Sequence, residues 1–590
     1  MVSVIAPLTG TVVSVAAPGQ IVPAGEAVAI LESMKMEHTV AIDETIVVER
    51  VNVQPGDRVD KGLELATGSA TSPADAETSQ PTRTHDRASL IEVVDRHNVG
   101  LDPARPGAVA KRHRTGRRTA RENLDDLVDA DSFVEYGPLT IAAQRQRRDV
   151  AELIKRTPAD GLVGGIGTVN ADIIDRDTRC VVASYDYMVL AGTQGMVNHR
   201  KKDRLFELAE RMRLPVVLFT EGGGGRPGDV DMPGVSWLDC IAFALFGGLA
   251  GTVPTIGVNA GYCFAGNAAL LGTCDVVIAT EDSNIGMAGP AMIAGGGLGD
   301  FAPTDIGPAE VHAANGVVDV VAVDEAEATA VARKVLAFAQ GRTAGGADLD
   351  PSRLREAVPE NRREAYDMHV VIDALVDVES AVEFREHWNP AMITTMARVH
   401  GNPLGIIANN SLHLAGAIDH GAATKAAEFM ELCESWKLPI LFLCDTPGFM
   451  VGPDSDAQGL PRSAGRLFRV GANLTVPFGT VITRRGYGLG AQAMAGGGFK
   501  EPLFTVSWPT GEFGPMGLEG AVRLGFSKEL AAAPQGPERE ALFEQLLDTM
   551  IHHGKATNVA SHFEIDDAID PADTRRWVDL LFDRAHWRDG

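Results

Sequence analysis

Six residues near the N-terminus place a lysine between two methionines, in the sequence Glu32-Ser33-Met34-Lys35-Met36-Glu37. The apolar runs at 27–31 and 39–42 on either side are typical of short strands, so we expect the lysine at the tip of a hairpin. Met34 and Met36 would supply flexible apolar contacts beside it. Such a lysine is suited to carrying a covalently attached prosthetic group, although an isolated Met-Lys-Met sequence is more often an ordinary surface turn.

A short internal repeat surrounds this lysine. Its matched pairs are Pro18-Gly19 with Pro55-Gly56, Gly25 with Gly62, Val22 with Val59, and Val28 with Leu65. Two similar halves with paired Pro-Gly turns predict a small quasi-twofold β sandwich that presents the hairpin at one end. This layout resembles the biotinyl (biotin carboxyl carrier) domain, in which the acceptor lysine stands in an (Ala/Ser)-Met-Lys-Met sequence. The resemblance implies a domain at residues 1–68 with biotin bound covalently to Lys35. Lipoyl domains share the fold but set their lysine in an Asp-Lys-Ala-like sequence.

The composition is that of a globular protein with several domains. The chain has 590 residues, more than a single core usually holds. Its formal net charge of −26 argues against a nucleic-acid or anionic-membrane surface. No apolar run is long enough to span a membrane, and no secretion signal is visible. The six cysteines form no Cys-x-x-Cys pair, which removes a zinc-ribbon interpretation and indicates reduced thiols. We therefore expect a cytoplasmic protein without a metal site.

Two segments differ in composition from their surroundings. Residues 69–87 are rich in small, polar and acidic side chains and have almost no large apolar residue, which predicts a flexible linker. Fully extended, it would reach up to about 70 Å. Residues 111–118, Lys-Arg-His-Arg-Thr-Gly-Arg-Arg, are strongly basic within an acidic protein. This run is either a solvated helix face or a group of cations that holds the phosphates of a nucleotide-like ligand.

From about residue 160 the chain alternates strands, glycine-rich turns and helices, which predicts an α/β architecture. A second repeat, called the long repeat here, runs through this part with a constant offset, the one that relates Leu190 to Leu414. Its matched pairs are Leu190-Ala191-Gly192 with Leu414-Ala415-Gly416, Lys201 with Lys425, Glu210 with Glu434, Leu214–Phe219 with Leu438–Leu443, and Ala265-Gly266 with Leu489-Gly490. Thr252-Val253-Pro254 and Thr475-Val476-Pro477 match one residue out of step. This ordered similarity predicts two domains of the same fold.

In each copy one strand ends in an acidic residue followed by glycine. The two segments are Glu221-Gly222-Gly223-Gly224-Gly225-Arg226 and Asp445-Thr446-Pro447-Gly448. Glycines at a strand-to-helix turn leave backbone N–H groups open to a ligand, and such donors stabilise a thioester carbonyl oxygen as it gains negative charge. The first segment has neither the P-loop nor the G-x-G-x-x-G arrangement. Alone it would be read as a structural turn, but the matching segment in the second copy favours a site.

Residues from about 88 to 585 resemble the carboxyltransferase (β) subunit of biotin-dependent acyl-CoA carboxylases, the propionyl-CoA and methylcrotonoyl-CoA carboxylase group. The stretches that carry the likeness are Thr119-Ala120-Arg121-Glu122, Ser132–Gly137, Gly223–Arg226, Lys425–Phe429, Asp445–Phe449, Tyr487–Gly490 and Met516-Gly517. The resemblance implies two crotonase-like (ββα superhelix) domains in tandem, at residues 88–343 and 344–590, behind the small all-β biotinyl domain.

The same resemblance implies the residues that take part in the reaction. The backbone amides of Gly223 and Gly224 would form the oxyanion hole for the acyl-CoA thioester enolate, and those of Leu489 and Gly490 would stabilise the biotin ureido oxygen. Substrate-binding roles would fall to Gly225, Arg226, Gly266 and Gln492. Carboxybiotin would release CO2, the biotin anion would take the α-proton, and the enolate would attack CO2, so no side-chain base is needed. In agreement, the sequence shows no credible His, Cys or Ser nucleophile arrangement.

Three departures from the family pattern bear on the substrate. Gly222 replaces the serine before the oxyanion glycines, and Leu489-Gly490 replaces a Gly-Ala or Ala-Gly pair. Gln492 stands at the substrate-discriminating position, where it is neither acidic nor aliphatic. Backbone donors survive the first two changes, so carboxyl transfer is still expected, and the length of the acyl chain is left open.

A further departure is the fused carrier domain, which in related carboxylases usually belongs to the biotin carboxylase subunit. No ATP-grasp domain fits in this chain, so we expect a separate biotin carboxylase partner that depends on ATP and bicarbonate. An acyl-CoA substrate and a homohexameric core are implied by the resemblance. Two alternatives stay open: a biotin-dependent decarboxylase or transcarboxylase that uses the same two domains, and a non-catalytic scaffold that binds acyl-CoA.

Overall fold

The computed structural model describes residues 1–71, 88–231, 239–344 and 349–583. The chain divides into two compact units, the first ending at Ile91 and the second beginning at Glu92. The predicted linker, 69–87, lies outside the described residues from 72 onward. Its first two residues belong instead to a strand, because Ser69 and Ala70 pair with the neighbouring strand of the first unit.

The first unit, called the carrier unit here, contains two four-stranded antiparallel sheets. Its strands are β1 (Val2–Ile5), β2 (Gly10–Val15), β3 (Ile21–Val22), β4 (Ala27–Ser33), β5 (Met36–Ala41), β6 (Ile46–Val51), β7 (Arg58–Val59) and β8 (Glu64–Ala70). The sheets have the orders β1-β8-β6-β3 and β5-β4-β2-β7. If each strand is replaced by the strand four places away in the order β1–β8, the strand order of one sheet becomes that of the other. The predicted quasi-twofold β sandwich is therefore confirmed.

Glycines of the short repeat close the matching turns of the carrier unit. Gly19, Gly25, Gly56 and Gly62 have φ angles of 88°, 83°, 96° and 94°, a region that strongly favours glycine. A Cβ at any of the four would meet no atom within 4 Å. The backbone angle, and not a lack of space, therefore selects glycine at these turns.

The second unit begins with a half built around a seven-stranded sheet. The strands of this first half are β9 (Val134–Glu135), β10 (Leu162–Thr168), β11 (Arg179–Tyr185), β12 (Val216–Phe219), β13 (Thr255–Asn259), β14 (Tyr262–Phe264), β15 (Val276–Thr280), β16 (Asn284–Gly286) and β17 (Val320–Ala322). The helices are α1 (Ala88–Asn98), which crosses the unit boundary, α2 (Pro106–Arg114), α3 (Ala120–Leu127), α4 (Val150–Arg156), α5 (Met196–Met212), α6 (Ala242–Gly247), α7 (Gly266–Thr273), α8 (Pro290–Gly295), α9 (Ala309–Ala314) and α10 (Glu325–Gln340).

The second half of this unit is built around an eight-stranded sheet. Its strands are β18 (Val382–Glu383), β19 (Met392–Val399), β20 (Asn402–Asn409), β21 (Ile440–Thr446), β22 (Phe478–Tyr487), β23 (Thr505–Ser507), β24 (Glu512–Gly514) and β25 (Asp567–Ala568). The helices are α11 (Met368–Leu375), α12 (His420–Trp436), α13 (Pro453–Ala457), α14 (Leu460–Ala472), α15 (Gly488–Ala493), α16 (Leu518–Gly525), α17 (Ser527–Ala532), α18 (Pro537–His553), α19 (Ala556–Ser561) and α20 (Thr574–Val578).

The two halves have the same topology. The strand orders are β9-β10-β11-β12-β13-β15-β17 and β18-β19-β20-β21-β22-β23-β25, with antiparallel pairing up to the third strand and parallel pairing after it. β14 pairs with β16 as the end of β22 pairs with β24. α5 and α12 each have 17 residues and start at equivalent positions of the long repeat, Met196 and His420. The structure thus confirms the predicted tandem α/β repeat.

One of the hydrophobic clusters of the second unit continues from one half to the other. It includes Val335 and Phe338 of α10 as well as Met392 and Ile407 of β19 and β20. The predicted boundary between residues 343 and 344 adjoins residues 345–348, which lie outside the described part. Within the described residues, no helix has the length and apolar composition needed to cross a membrane, and no His, Cys, Asp or Glu cluster could hold a metal ion.

Candidate active site

The lysine of the carrier unit stands at the tip of the hairpin that joins β4 to β5. Ser33 pairs with Met36, and the two residues between them, Met34 and Lys35, have φ angles of 53° and 64°. Two consecutive left-handed residues form the tight turn that suits hairpins, but neither residue is glycine, so the turn is strained. Met34 is 95% exposed and Met36 66% exposed, and Lys35 is exposed between them. The predicted hairpin is confirmed, and an attached group at Lys35 would meet no obstruction from the turn.

The second unit has a candidate site of its own, at two backbone turns. We call Glu221–Arg226 with the start of α7 the first corner, and Asp445–Met450 with the start of α15 the second corner. At the first corner, the N–H of Gln194 donates to Gly224 O at 2.7 Å, and the carbonyl oxygen of Gln194 accepts from Arg226 N–H at 2.9 Å. At the second corner, the N–H of Ile418 donates to Gly448 O at 3.0 Å, and the carbonyl oxygen of Ile418 accepts from Met450 N–H at 2.9 Å. The two corners therefore follow the same path at matching positions of the long repeat.

The amides predicted as the first oxyanion hole are already hydrogen-bonded within the protein. Gly223 N–H donates to Ala191 O at 3.1 Å, and Gly224 N–H donates to Asn267 Oδ1 at 3.1 Å. The oxyanion-hole role of Gly223 and Gly224 stays a prediction, and both N–H groups would have to leave these acceptors to fulfil it. Among the described residues, the N–H groups of Gly225 and Gly266 have no acceptor.

These two amides, of Gly225 and Gly266, both lie next to Gly224. Gly225 follows it in the chain, and Gly266 N lies 3.6 Å from the position that a Cβ on Gly224 would occupy. A Cβ there would also lie 2.7 Å from Ala265 Cβ, so glycine is needed for this close approach. Gly225 and Gly266 were predicted to bind substrate, and their free donors fit that role.

The second corner presents a matching set of donors. Leu489 and Gly490 lie in the first turn of α15, and their N–H groups have no acceptor among the described residues. Gly490 packs so closely on Gly448 that a Cβ would lie 2.6 Å from Gly448 Cα and 3.2 Å from Phe449 N. The amide of Phe449, which also lacks an acceptor there, was missed by sequence reasoning. Its position, equivalent to that of Gly225 in the long repeat, was the signal that could have identified it.

Each corner begins with a buried carboxylate that is paired with arginine. Glu221 accepts from Arg112 Nη1 at 2.9 Å and also from Nη2, and burial raises the pKa of this carboxyl to about 7. Asp445 accepts from Arg484 Nη2 at 2.9 Å and Arg485 Nε at 2.6 Å. Burial acts against the charged form of Asp445, but the two arginines outweigh it and lower its pKa.

Three arginines of the basic run at 111–118 form ion pairs with carboxylates of the second unit. Arg112 pairs with Glu221, Arg117 lies 2.7 Å from Asp282, and Arg118 lies 2.9 Å from Asp126. Neither interpretation of this run holds for all of its cations. Arg112 lies at the base of the first corner, whereas Lys111 and Arg114 are exposed.

Arg226 is buried and does not point into the open part of the first corner. Its guanidinium pairs with Asp160, which is fully buried, and Nη2 donates to Thr193 O at 2.7 Å. Asp229 Oδ2 lies 3.6 Å from Arg226 Nη1, the nitrogen that also pairs with Asp160. The substrate-binding role of Arg226 stays a prediction. In the structure its side chain holds the turn through these bonds, whereas Gly225 is exposed.

Gln492 lies on α15, two residues after Gly490, and is exposed. It lines an open cavity of about 420 Å³ together with Gly488, Phe499, Phe513 and Met550. Its placement next to the second corner fits a role in substrate selection, and that role stays a prediction.

The cysteines near the corners are unsuited to nucleophilic chemistry. Burial raises the pKa of Cys263, beside the first corner, to about 12, and raises the pKa of Cys444, beside the second, further still. A thiol with so high a pKa is not ionised at neutral pH and is inert. The donors at both corners are main-chain N–H groups.

Two family models match this chain. The model of the carboxyl transferase domain matches residues 111–589. The model of the biotin-requiring enzyme domain matches residues 2–67. The first match covers both halves of the second unit, and the second covers the strands of the carrier unit.

Two relatives match most of this chain. The methylmalonyl-CoA carboxyltransferase 12S subunit of Propionibacterium freudenreichii subsp. shermanii is 32% identical over 482 residues, which are 80% of this chain and 89% of the relative. The propionyl-CoA carboxylase beta chain of Saccharopolyspora erythraea is 30% identical over 537 residues, 86% of this chain and 95% of the relative.

Two solved structures are similar to this chain, and the match to the first covers nearly all of it. A single-chain, multi-domain long-chain acyl-CoA carboxylase is 54% identical with a TM-score of 0.81. The match covers 98% of this chain but 56% of that one, so the chain spans about half the length of this neighbour. The transcarboxylase 12S hexamer with methylmalonyl-CoA bound is 29% identical with a TM-score of 0.74, covering 86% of this chain and 97% of that one.

Proposed function

We propose that this chain, which belongs to the carboxyl transferase family, works with a separate biotin carboxylase and carboxylates an acyl-CoA thioester bound at the first corner. It is an enzyme, the carboxyltransferase of an acyl-CoA carboxylase with a fused biotin carrier domain, and its cofactor is biotin bound covalently to a lysine of that domain. When bound, biotin supplies an activated carboxyl group. The observation that carries the proposal is the pair of equivalent corners whose outward donors are main-chain amides.

At the first corner, the N–H groups of Gly225 and Gly266 donate to the thioester carbonyl oxygen of the acyl-CoA. As the α-proton leaves, negative charge develops on this oxygen, and fixed donors stabilise it without reorganisation. Gly223 and Gly224 hold the turn through their bonds to Ala191 and Asn267. Loss of a single such donor typically slows a reaction by about 10²–10³-fold.

At the second corner, the N–H groups of Phe449, Leu489 and Gly490 would hold the ureido oxygen of biotin. Two such corners in one unit can serve the two reactants of a carboxyl transfer, one each. The carboxylate of Glu221 is neutralised by Arg112, and that of Asp445 by Arg484 and Arg485. These ion pairs hold the two corners in place.

Lys35 is the residue to which we assign the biotin, because it stands exposed at the tip of a strained hairpin. Coexpression with biotin ligase should add one biotinyl group to the intact mass of the wild-type chain. Lys35→Arg should abolish the addition, while Lys61→Arg, the matched control within the same unit, should retain it. A biotinylated Lys35→Arg protein would refute the assignment.

A second candidate is transcarboxylation between two acyl groups, because the relative at 32% identity is a carboxyltransferase 12S subunit. Carboxylation and transcarboxylation differ in the molecule that donates the carboxyl group. With a biotin carboxylase added, we expect carboxylation of acyl-CoA that requires ATP and bicarbonate. Turnover that needs an acyl donor and no ATP would favour transcarboxylation, and the same assay would also test a decarboxylase. A non-catalytic scaffold is excluded by the membership of the carboxyltransferase family.

We also propose a homohexameric core, since the related transcarboxylase 12S assembles as a hexamer. Light scattering of the biotinylated chain should give the mass of six copies. A monomer at micromolar concentration would contradict this proposal.

A further inference from the structure

A series of hydrogen-bonded side chains ends at the residue that precedes the helix of the second corner. Tyr487 is the last residue of β22, and α15 begins at the next residue. The hydroxyl of Tyr487 donates to Glu512 Oε1, and the Glu512 carboxylate accepts from Arg362 Nε at 2.7 Å and from Nη2 at 2.8 Å. Arg362 Nη1 also donates to Glu519 Oε1 at 2.8 Å. We call these four residues the tyrosine network.

The tyrosine network joins segments that are far apart in the chain. Arg362 lies in the connection between the two halves, after α10 and before α11, whereas Glu512 begins β24 and Glu519 lies on α16. Tyr487 and Glu512 are buried, and the side chain of Arg362 is partly exposed. A bidentate pair of arginine and carboxylate fixes geometry as well as charge. The start of α15 is therefore tied to the connection between the halves.

The start of α15 has little room to move without its neighbours. Gly488 has a φ angle of 55°, and a Cβ there would lie 2.7 Å from Pro515 O, which follows β24. Tyr487 also pairs with Gly514, the last residue of β24. The next two amides are those of Leu489 and Gly490. A shift of Tyr487 would therefore displace the donors of the second corner.

The first corner is built without such a network. In the register of the strands, Phe264 takes the position of Tyr487, and Asn284 takes that of Glu512. Phenylalanine has no hydroxyl to donate, and Asn284 Nδ2 donates instead to two main-chain carbonyl oxygens, at 3.0 and 3.1 Å. Within the described residues, the tyrosine network thus has no counterpart at the first corner.

We propose that the tyrosine network positions the second corner for the ureido oxygen of biotin, an inference that rests on the function proposed above. Biotin on its carrier has to arrive at this corner in every catalytic cycle, so the amides of Leu489 and Gly490 must already be aligned. A displacement of about 1 Å at a reacting centre costs about 10²-fold in rate. Arg362, Glu512 and Tyr487 are positioning residues, because they act on biotin through these amides.

The test measures the two substrates separately. In the full chain with Lys35→Arg, which carries no biotin, free biocytin would accept the carboxyl group of a 2-carboxyacyl-CoA, giving acyl-CoA and N-carboxybiocytin. The donor is the best of a series from malonyl-CoA to 2-carboxyhexadecanoyl-CoA. Arg362→Met should lower kcat/KM for biocytin by about tenfold or more and leave KM for the thioester unchanged. Arg355→Met, which breaks an exposed bidentate pair with Asp570, is the control and should change neither.

Tyr487→Phe cuts the network by removing a single hydroxyl, and the ring keeps its place in the apolar cluster with Leu518 and Val522. It should lower kcat/KM for biocytin as Arg362→Met does. If the network acts as one unit, the double variant should be no worse than the more affected single variant.

Three results would overturn the inference: unchanged biocytin kinetics in both single variants, an equal loss for biocytin and thioester, or single effects that multiply in the double variant. The last would make the two side chains independent supports of the fold. Failure of the proposed function would look different, because the Lys35→Arg parent itself would transfer no carboxyl group from any donor.

Discussion

At the first corner the buried carboxylate of Glu221 meets one arginine, Arg112, which comes from α2 in a much earlier part of the chain. At the second corner the carboxylate of Asp445 meets two, Arg484 and Arg485, both from the neighbouring strand β22. The backbone bonds above these carboxylates are nevertheless the same. The comparison teaches that the path of a corner depends on glycine and on a neutralised carboxylate, and not on the source of the neutralising charge.

The corners also differ at the residue that ends the shared hydrogen-bond pattern. This residue is Arg226 at the first corner and Met450 at the second. Arg226 belongs to a buried group with Asp160 and Asp229 that has no counterpart at Met450. The first corner is thus supported by charge where the second is not.

The largest expected effect comes from making the first corner resemble the second. Arg226→Met leaves Asp160 buried without its partner, which should lower the free energy of unfolding by about 3–5 kcal/mol. Arg211→Met, on an exposed part of α5, is the control and should change it by less than about 0.5 kcal/mol. Chemical denaturation measures both. An unchanged Arg226→Met protein would show that Met450 and Arg226 are interchangeable supports.

A somewhat smaller effect should come from the glycines that the two corners share. Gly224 and Gly448 have φ angles of 81° and 119°, so alanine at either position is strained and should shift the adjacent amide of Gly225 or Phe449. A displacement of about 1 Å at a reacting centre costs about 10²-fold in rate. We therefore expect Gly224→Ala and Gly448→Ala each to lower kcat for carboxyl transfer by about 10²-fold.

Gly498→Ala is the matched control, because its Cβ would meet no atom within 4 Å. It should retain the wild-type rate. If one corner tolerates alanine and the other does not, the two corners do not make equivalent use of their amides.

The two carboxylates should also differ in how the stability of the protein depends on pH. The pKa of Glu221 is raised from 4.5 to about 7, so the native state binds more protons than the unfolded state between these values. The free energy of unfolding should therefore fall by up to about 3 kcal/mol as pH rises from 4.5 to 7, relative to Glu221→Gln.

Asp445 should behave in the opposite way, because its pKa is lowered from 3.8. Its stabilisation is fully present above pH 3.8 and is lost as pH falls through the lower, folded value. The difference in unfolding free energy between wild type and Asp445→Asn should be constant from pH 5 to 8. Denaturation curves that showed the same pH trend for both variants would remove the electrostatic distinction between the corners.

Local patterns predicted the fold well where turns and repeats carry their own signal. The Pro-Gly repeat predicted the twofold carrier unit, and the Met-Lys-Met sequence predicted its hairpin. The constant offset of the long repeat predicted matching helices and strands. Glycine spacing also located both corners, and Leu489 and Gly490 stay assigned to the second.

The sequence by itself determined where the chain turns and which segments are equivalent, because φ preferences and apolar periodicity act over a few residues. Only the tertiary structure decided which amides stay free. Gly223 and Gly224 are indistinguishable from Gly225 in the sequence, but Ala191 and Asn267, from distant segments, accept their N–H groups. Arg112 and Arg226 likewise became internal supports through Glu221 and Asp160. Hydrogen bonds and ion pairs between segments far apart in the chain depend on packing, and no local pattern encodes them.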